Sequence, residues 1–117
     1  MMWTTIRLEL GRTPGYPNGS AARSYVLRLP LQPGGTIDEQ EYRRRPELAT
    51  VRRFWPNEPD RHGQVLRTGE GWSLTYGEGA RAERIDRLDA LHDGDRLMLT
   101  ETGGVALPFL IRGLDVA

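Results

Sequence analysis

The chain has 117 residues, 38% of them hydrophobic, with 16 basic against 16 acidic side chains and no cysteine. This content is globular rather than disordered, and disulfide and thiolate chemistry are excluded. A chain of this length forms one domain, residues 1–117, and buries roughly two-thirds of its unfolded surface without metal or disulfide.

All the basic residues are Arg. Arg recognises carboxylate and phosphate bidentately and stacks on aromatic rings, although a GC-rich coding bias gives the same usage. Residues 1–53 carry 9 Arg against 5 acids and residues 54–117 carry 7 against 11, so the two portions are +4 and −4. A balanced chain lacks the global footprint of a nucleic-acid binder, and any such role needs a local patch. The longest apolar run, Val105 to Ile111, is far short of a bilayer span. The N-terminus turns polar within three residues, so the expectation is a cytoplasmic protein without membrane contact.

Trp3 to Leu10 alternates with the period of a half-buried strand, Ile6, Leu8 and Leu10 on one face. Gly11 to Ala22 reads as loop. A second strand runs from Arg23 to Leu31, with Tyr25, Leu27, Leu29 and Leu31 sharing a face and Pro30 marking a sheet edge.

After Gly34-Gly35 comes one helix, Ile37 to about Arg45. Thr36 and Glu39 have the spacing of a capping box, and Arg43, Arg44 and Arg45 complement the negative end of the helix dipole before Pro46 stops it.

The stretch Val51 to Tyr76 reads as a three-stranded antiparallel meander. Thr50, Arg52 and Phe54 point one way; Val51, Arg53 and Trp55 point the other. A turn at Gly69-Glu70 sets Arg67 opposite Trp72 and Val65 opposite Leu74, placing Val65, Trp72, Leu74 and Tyr76 on the core face. Arg67 then sits at the rim of that face, able to stack on the Trp72 indole. Gly77 to Glu83 reads as loop, and Arg84 to Leu91 fits a helical turn as well as a bulged strand. In the last hairpin a three-residue loop, Thr102-Gly103-Gly104, sets Leu97 against Phe109 and Leu99 against Leu107. A two-residue loop would turn the apolar set outward.

These elements predict a mainly β protein: a small, bent antiparallel sheet or barrel of about seven strands with one capping helix near 37–45. Side chains fill its interior, and Trp72, Leu74, Leu8, Leu27, Leu29, Leu97, Leu99 and Phe109 form the core.

The series Arg7-Leu8-Glu9-Leu10, Pro17-Asn18-Gly19-Ser20, Pro30-Leu31, Ile37-Asp38, Val51-Arg52-Arg53-Phe54-Trp55, Trp72 with Tyr76, and Gly94-Asp95 resembles a family of small uncharacterised bacterial proteins. The resemblance implies a compact cytosolic β-rich protein and brings no reaction, cofactor or site residue.

No motif of high specificity for catalysis or a cofactor occurs in the sequence. Asp60-x-His62 and His92-Asp93-x-Asp95 are turn sequences without a two-histidine ligand spacing. Asp89 to Thr100 fits a calcium loop at three places and fails at the second ligand and the terminal Glu. Ser20, Ser24 and Ser73 lack a nucleophile context, and the glycines lie between strands rather than opening a helix. The expectation is therefore no cofactor and no assigned catalytic or metal residue, with an enzyme or metal-binding protein of unknown reaction as the last of three alternatives.

The leading functional expectation is a non-catalytic interaction or accessory module with a protein partner. Its candidate surface is Arg43, Arg44, Arg45, Arg52, Arg53, Phe54 and Trp55, since Trp and Arg anchor interfaces. The alternative is a small barrel that binds single-stranded nucleic acid or RNA through the same residues, which the neutral net charge disfavours.

Overall fold

A computed structural model describes residues 1–69, 71–77, 82–86, 88, 90–101 and 103–116. The elements in chain order are β1 (Met2–Leu10), β2 (Ser20–Leu31), α1 (Glu39–Arg44), a 3-10 turn (Pro46–Leu48), β3 (Thr50–Phe54), β4 (Arg61–Thr68), β5 (Gly71–Thr75), β6 (Glu83–Asp86), β7 (Arg96–Thr100) and β8 (Ala106–Val116). Each strand pairs antiparallel with its chain neighbours, and β8 returns to pair with β1, closing a barrel of eight strands. Closure removes the free sheet edges that an open sheet must protect.

The eighth strand is Glu83–Asp86, drawn from the stretches left open or read as loop in the sequence; Arg87 and Asp89 lie outside the described residues. Its pairing to Ser73 and Thr100 through Arg84 settles it as a strand. Both hairpin registers follow the sequence: Arg67 faces Trp72, Val65 faces Leu74, Leu97 faces Phe109 and Leu99 faces Leu107. Glu70 and Thr102, in the two turns, lie outside the described residues. At the second turn Gly104 has φ +85°, a left-handed conformation that glycine adopts without strain, and its amide donates to the Glu101 carbonyl at 2.9 Å.

All eight predicted core residues are buried. Ile6, Tyr25, Ile85, Leu91 and Ile111 join them, so side chains fill the middle of the barrel. Arg67 lies 5.1 Å from the Trp72 ring, the rim contact that the register implies. Outward positions on the strands carry Arg7, Glu9, Arg28, Arg52, Gln64 and Arg84. Among the described residues no helix is long and apolar enough to cross a membrane.

The helix needs two corrections. It spans six residues, less than two turns, and its N-cap is Asp38, whose carboxylate accepts from the Glu41 amide at 3.0 Å. Asp38 outcompetes Thr36 because β2 and the chain after it are tied together: the Thr36 carbonyl accepts from the Gln32 amide, and Ile37 bridges Leu31. The helix starts only beyond that extended bridge. Pro30 does sit on a local edge, because β3 pairs with β2 only over Ser24–Leu27; the Pro30 carbonyl instead accepts from the Asp38 amide at 2.9 Å.

The helix closes one end of the barrel. The Tyr42 hydroxyl donates to the Val65 carbonyl at 3.0 Å and accepts from the Arg67 amide at 3.1 Å, while its ring meets Trp72 edge-on at 5.0 Å. The Trp3 indole N–H and the Arg44 guanidinium both donate to the Glu41 carboxylate, which holds that carboxyl below its ordinary range. The opposite end, where β3 and β5 finish and β4 and β6 begin, has a different character.

Candidate functional site

At that opposite end the inward positions turn from apolar to ionisable. Strand alternation forces this. Arg53 shares the inward face of β3 with Val51, Tyr25 lies directly across from Arg53 on β2, and Glu83 opens β6 two residues before inward Ile85. Arg53 is only 6% exposed and Glu83 only 3%.

These groups lie within reach of one another. Glu83 accepts from the Tyr76 hydroxyl at 2.6 Å and from the Tyr25 hydroxyl at 3.3 Å. The Arg53 Nε donates to the Tyr25 oxygen at 3.3 Å, its Nη1 reaches Glu58 at 3.2 Å, and its Nη2 faces Glu101 at 3.7 Å. Arg61 approaches Glu58 from outside at 3.8 Å.

Burial raises the Glu83 carboxyl above its ordinary range; the tyrosine hydrogen bonds oppose that shift and Glu101 adds to it. Burial, and then the neighbouring Glu83 carboxylate, pushes the Tyr25 and Tyr76 phenols well above their ordinary range. Burial also works against the charge on Arg53, but the Tyr25 oxygen and the Glu58 and Glu101 carboxylates outweigh it and keep the guanidinium cationic.

An aromatic layer covers this cluster. Trp55, the first residue past β3, lies over Arg53 with the guanidinium carbon 4.2 Å from its ring, and meets Tyr25 edge-on at 6.4 Å. Arg23 also stands 5.8 Å from the Trp55 ring, and 4.2 Å from that of Tyr16. The Arg23 Nη1 donates to the Ser20 hydroxyl at 3.1 Å. The result is a ladder, Tyr16–Arg23–Trp55–Arg53, whose first three members are half-buried and form surface while the fourth lies inside. Arg61 stands 5.9 Å from Tyr76 at the rim.

The seven residues singled out from sequence do not form one surface. Arg53 is inside the barrel, and Trp55 sits above it at this end. Arg52 and Phe54 are on the outer wall, in contact with each other at 5.0 Å. Arg43, Arg44 and Arg45 are exposed at the helix end, with Arg44 paired to Glu41 at 2.7 Å. Sequence reasoning missed Glu83, the Tyr25 and Tyr76 hydroxyls, Tyr16 and Arg23. Two signals were present: Arg53 has the parity of Val51, and Glu83 has the parity of Ile85.

Chemically, the cluster is a buried network of hydrogen bonds and ion pairs beneath an Arg and aromatic surface, in which Glu101 Oε1 faces Arg53 at 3.7 Å and accepts no hydrogen bond. Among the described residues no group of three or more His, Asp or Glu converges as a metal site. Comparison with protein-family models, with curated proteins and with solved structures returned no match to this chain.

Proposed function

We propose that the chain is a cytoplasmic, non-catalytic protein-interaction module that meets its partner at the end of the barrel carrying Trp55. The observation that carries this reading is the ladder Tyr16–Arg23–Trp55, held from below by Arg53. Trp, Tyr and Arg are the residues enriched at interface hot spots, and a side chain already fixed by stacking loses little entropy when a partner covers it. Glu58 and Glu101 flank Arg53 at the same end. Those carboxylates repel a phosphate backbone, which favours a protein partner over a nucleic acid.

Affinity capture from source lysate, with and without nuclease treatment, tests the reading, using wild type, Trp55→Ala, Arg23→Ala and the outer-wall control Phe54→Ala. Circular dichroism checks that each variant is folded. One partner protein retained by wild type and Phe54→Ala, but lost by the two ladder variants, is the expected result. Equal retention by all four removes the ladder from recognition. Binding that needs nuclease-sensitive material, and weakens with salt by about 0.7–0.9 in the log–log slope per phosphate, identifies a nucleic acid instead.

A further inference from the structure

The barrel has a second mouth, beside the helix, and its lining differs from that of the first. β1, β2 and β8 are the long staves, with 9, 12 and 11 residues, against 4 to 8 in the other five. At the helix end they run past their shorter neighbours. Their inward faces there, Met2 and Thr4, Leu31, and Leu114 and Val116, extend the barrel wall beyond the packed core. Pairing of Thr4 with Val116 and of Ile6 with Leu114 fixes that overhang.

The overhang, with Leu91 at its back, encloses a groove of about 400 Å³. Small-molecule sites fall at about 300–1,000 Å³ and occur in the mouths of β-barrels. Three of the five large apolar side chains exposed on the described residues, Met1, Met2 and Val116, ring this groove.

From this geometry we infer that the groove between the overhanging ends of β1, β2 and β8 binds a small apolar molecule. The lining decides the chemistry. His92 is its only titratable side chain, and its Nε2 already lies 2.8 Å from the Gly34 carbonyl. Thr4 donates its hydroxyl to the Met2 carbonyl, and the Gln32 amide donates to Asp38. No acidic side chain lines the groove, and the one cationic group on a lining residue is the Met1 α-ammonium at its rim, whereas an alkyl chain or aromatic ring meets Leu31, Leu91 and Leu114. Met side chains adapt to ligand shape at low cost. A protein partner or second copy is the poorer occupant, because a stable interface engages roughly 20–30 residues a side and only three exposed apolar side chains ring the groove.

The chain has three methionines, and Met98 faces outward on β7, between inward Leu97 and Leu99. Methyl NMR of [methyl-13C]methionine-labelled protein therefore carries its own control. Titration with 1-hexanol and with indole should shift the Met1 and Met2 methyls saturably and leave Met98 unmoved. Hexylammonium, the cationic counterpart of the alcohol, should bind more weakly, because no acidic side chain lines the groove and the Met1 α-ammonium repels it. Val116→Trp alters an exposed position, so it leaves the fold intact while filling the groove, and should weaken hexanol binding about tenfold or more. Leu66→Trp, a change at an exposed position of the outer wall, should not. Non-saturating shifts, equal binding of hexylammonium, or unchanged binding to Val116→Trp would each overturn the inference. So would Met1 and Met2 shifts that vary with protein concentration alone, which would identify a second copy as occupant. The readout does not involve the opposite mouth, so it stands or falls separately from partner capture there.

Discussion

The Tyr76 hydroxyl stands 2.6 Å from a carboxylate oxygen of Glu83, inside the wall of the barrel, and burial lifts both groups above their ordinary proton affinities. The sign of the linkage follows. A carboxyl whose folded pKa lies above its unfolded value contributes stability that is fully present below the unfolded pKa, ordinarily about 4.3, and is lost as pH rises through the folded pKa. Glu83→Gln keeps an acceptor for Tyr76 and removes the charge. Denaturant unfolding of this variant should show a smaller loss of stability above that pH than wild type does. An identical pH profile would mean that Glu83 does not titrate across the transition.

Glu41 works in the opposite sense. Its carboxyl is held down by Arg44 and Trp3, so the stability it adds is present above the unfolded pKa and is lost as pH falls through the folded one. Glu41→Gln should therefore flatten the acid side of the same profile, leaving the side governed by Glu83 unchanged.

Asp38, not Thr36, caps the helix. Asp38→Ala should cost about 1 kcal/mol, the usual worth of such a cap, whereas Thr36→Ala should stay within about 0.5 kcal/mol. Thermal unfolding of the pair measures the difference directly. Equal losses would restore the capping box suggested by the Thr36–Glu39 spacing.

Gly63 lies where β4 crosses closest to β5: a Cβ there would overlap the Thr75 carbonyl oxygen and crowd Tyr76. Both are backbone contacts that no rotamer relieves. Gly63→Ala should thus destabilise by about 1–3 kcal/mol or more, as overpacking does, and weaken the Tyr76 arm of the Glu83 network. Retained stability would show that the two strands can part without cost.

Leu74 is fully buried opposite Val65. Leu74→Ala should cost about 2–5 kcal/mol in equilibrium unfolding. A loss under about 0.5 kcal/mol, typical of an exposed site, would mean that the strand presents its other face.

The hairpins were legible because turn and apolar pattern agree: only one register puts Leu97, Leu99, Leu107 and Phe109 on a common side. Arg67 beside Trp72 follows from the same logic. The helix start was misplaced because Thr36 and Asp38 are both good caps, and the choice is made by the Leu31–Ile37 bridge, a tertiary contact. The four residues of β6 offer two alternations, too few to separate a strand from a turn. Its first residue, Glu83, looked like loop for the same reason. Arg53 and Tyr25 carry inward parity in the sequence, but that they meet depends on the β2–β3 register, which is set across the helical insertion. The aromatic ladder draws Tyr16 from a loop and Arg23 from the start of β2, and no spacing rule joins those to Trp55.

The seam between β1 and β8 joins the two most distant strands of the chain. Each of the other pairings can form as soon as a neighbouring hairpin exists, but this one requires loop closure across almost the whole polypeptide, an entropic cost that must be met before its contacts form. During synthesis β2 covers one side of β1 early, and the other side stays unpaired until β8 has emerged. In the finished barrel β1 is paired on both sides, yet during assembly one of those sides stays open for most of the time. Folding should therefore be slow for a chain of this size, and crowding-induced misassembly should be confined to the period before the last strand docks.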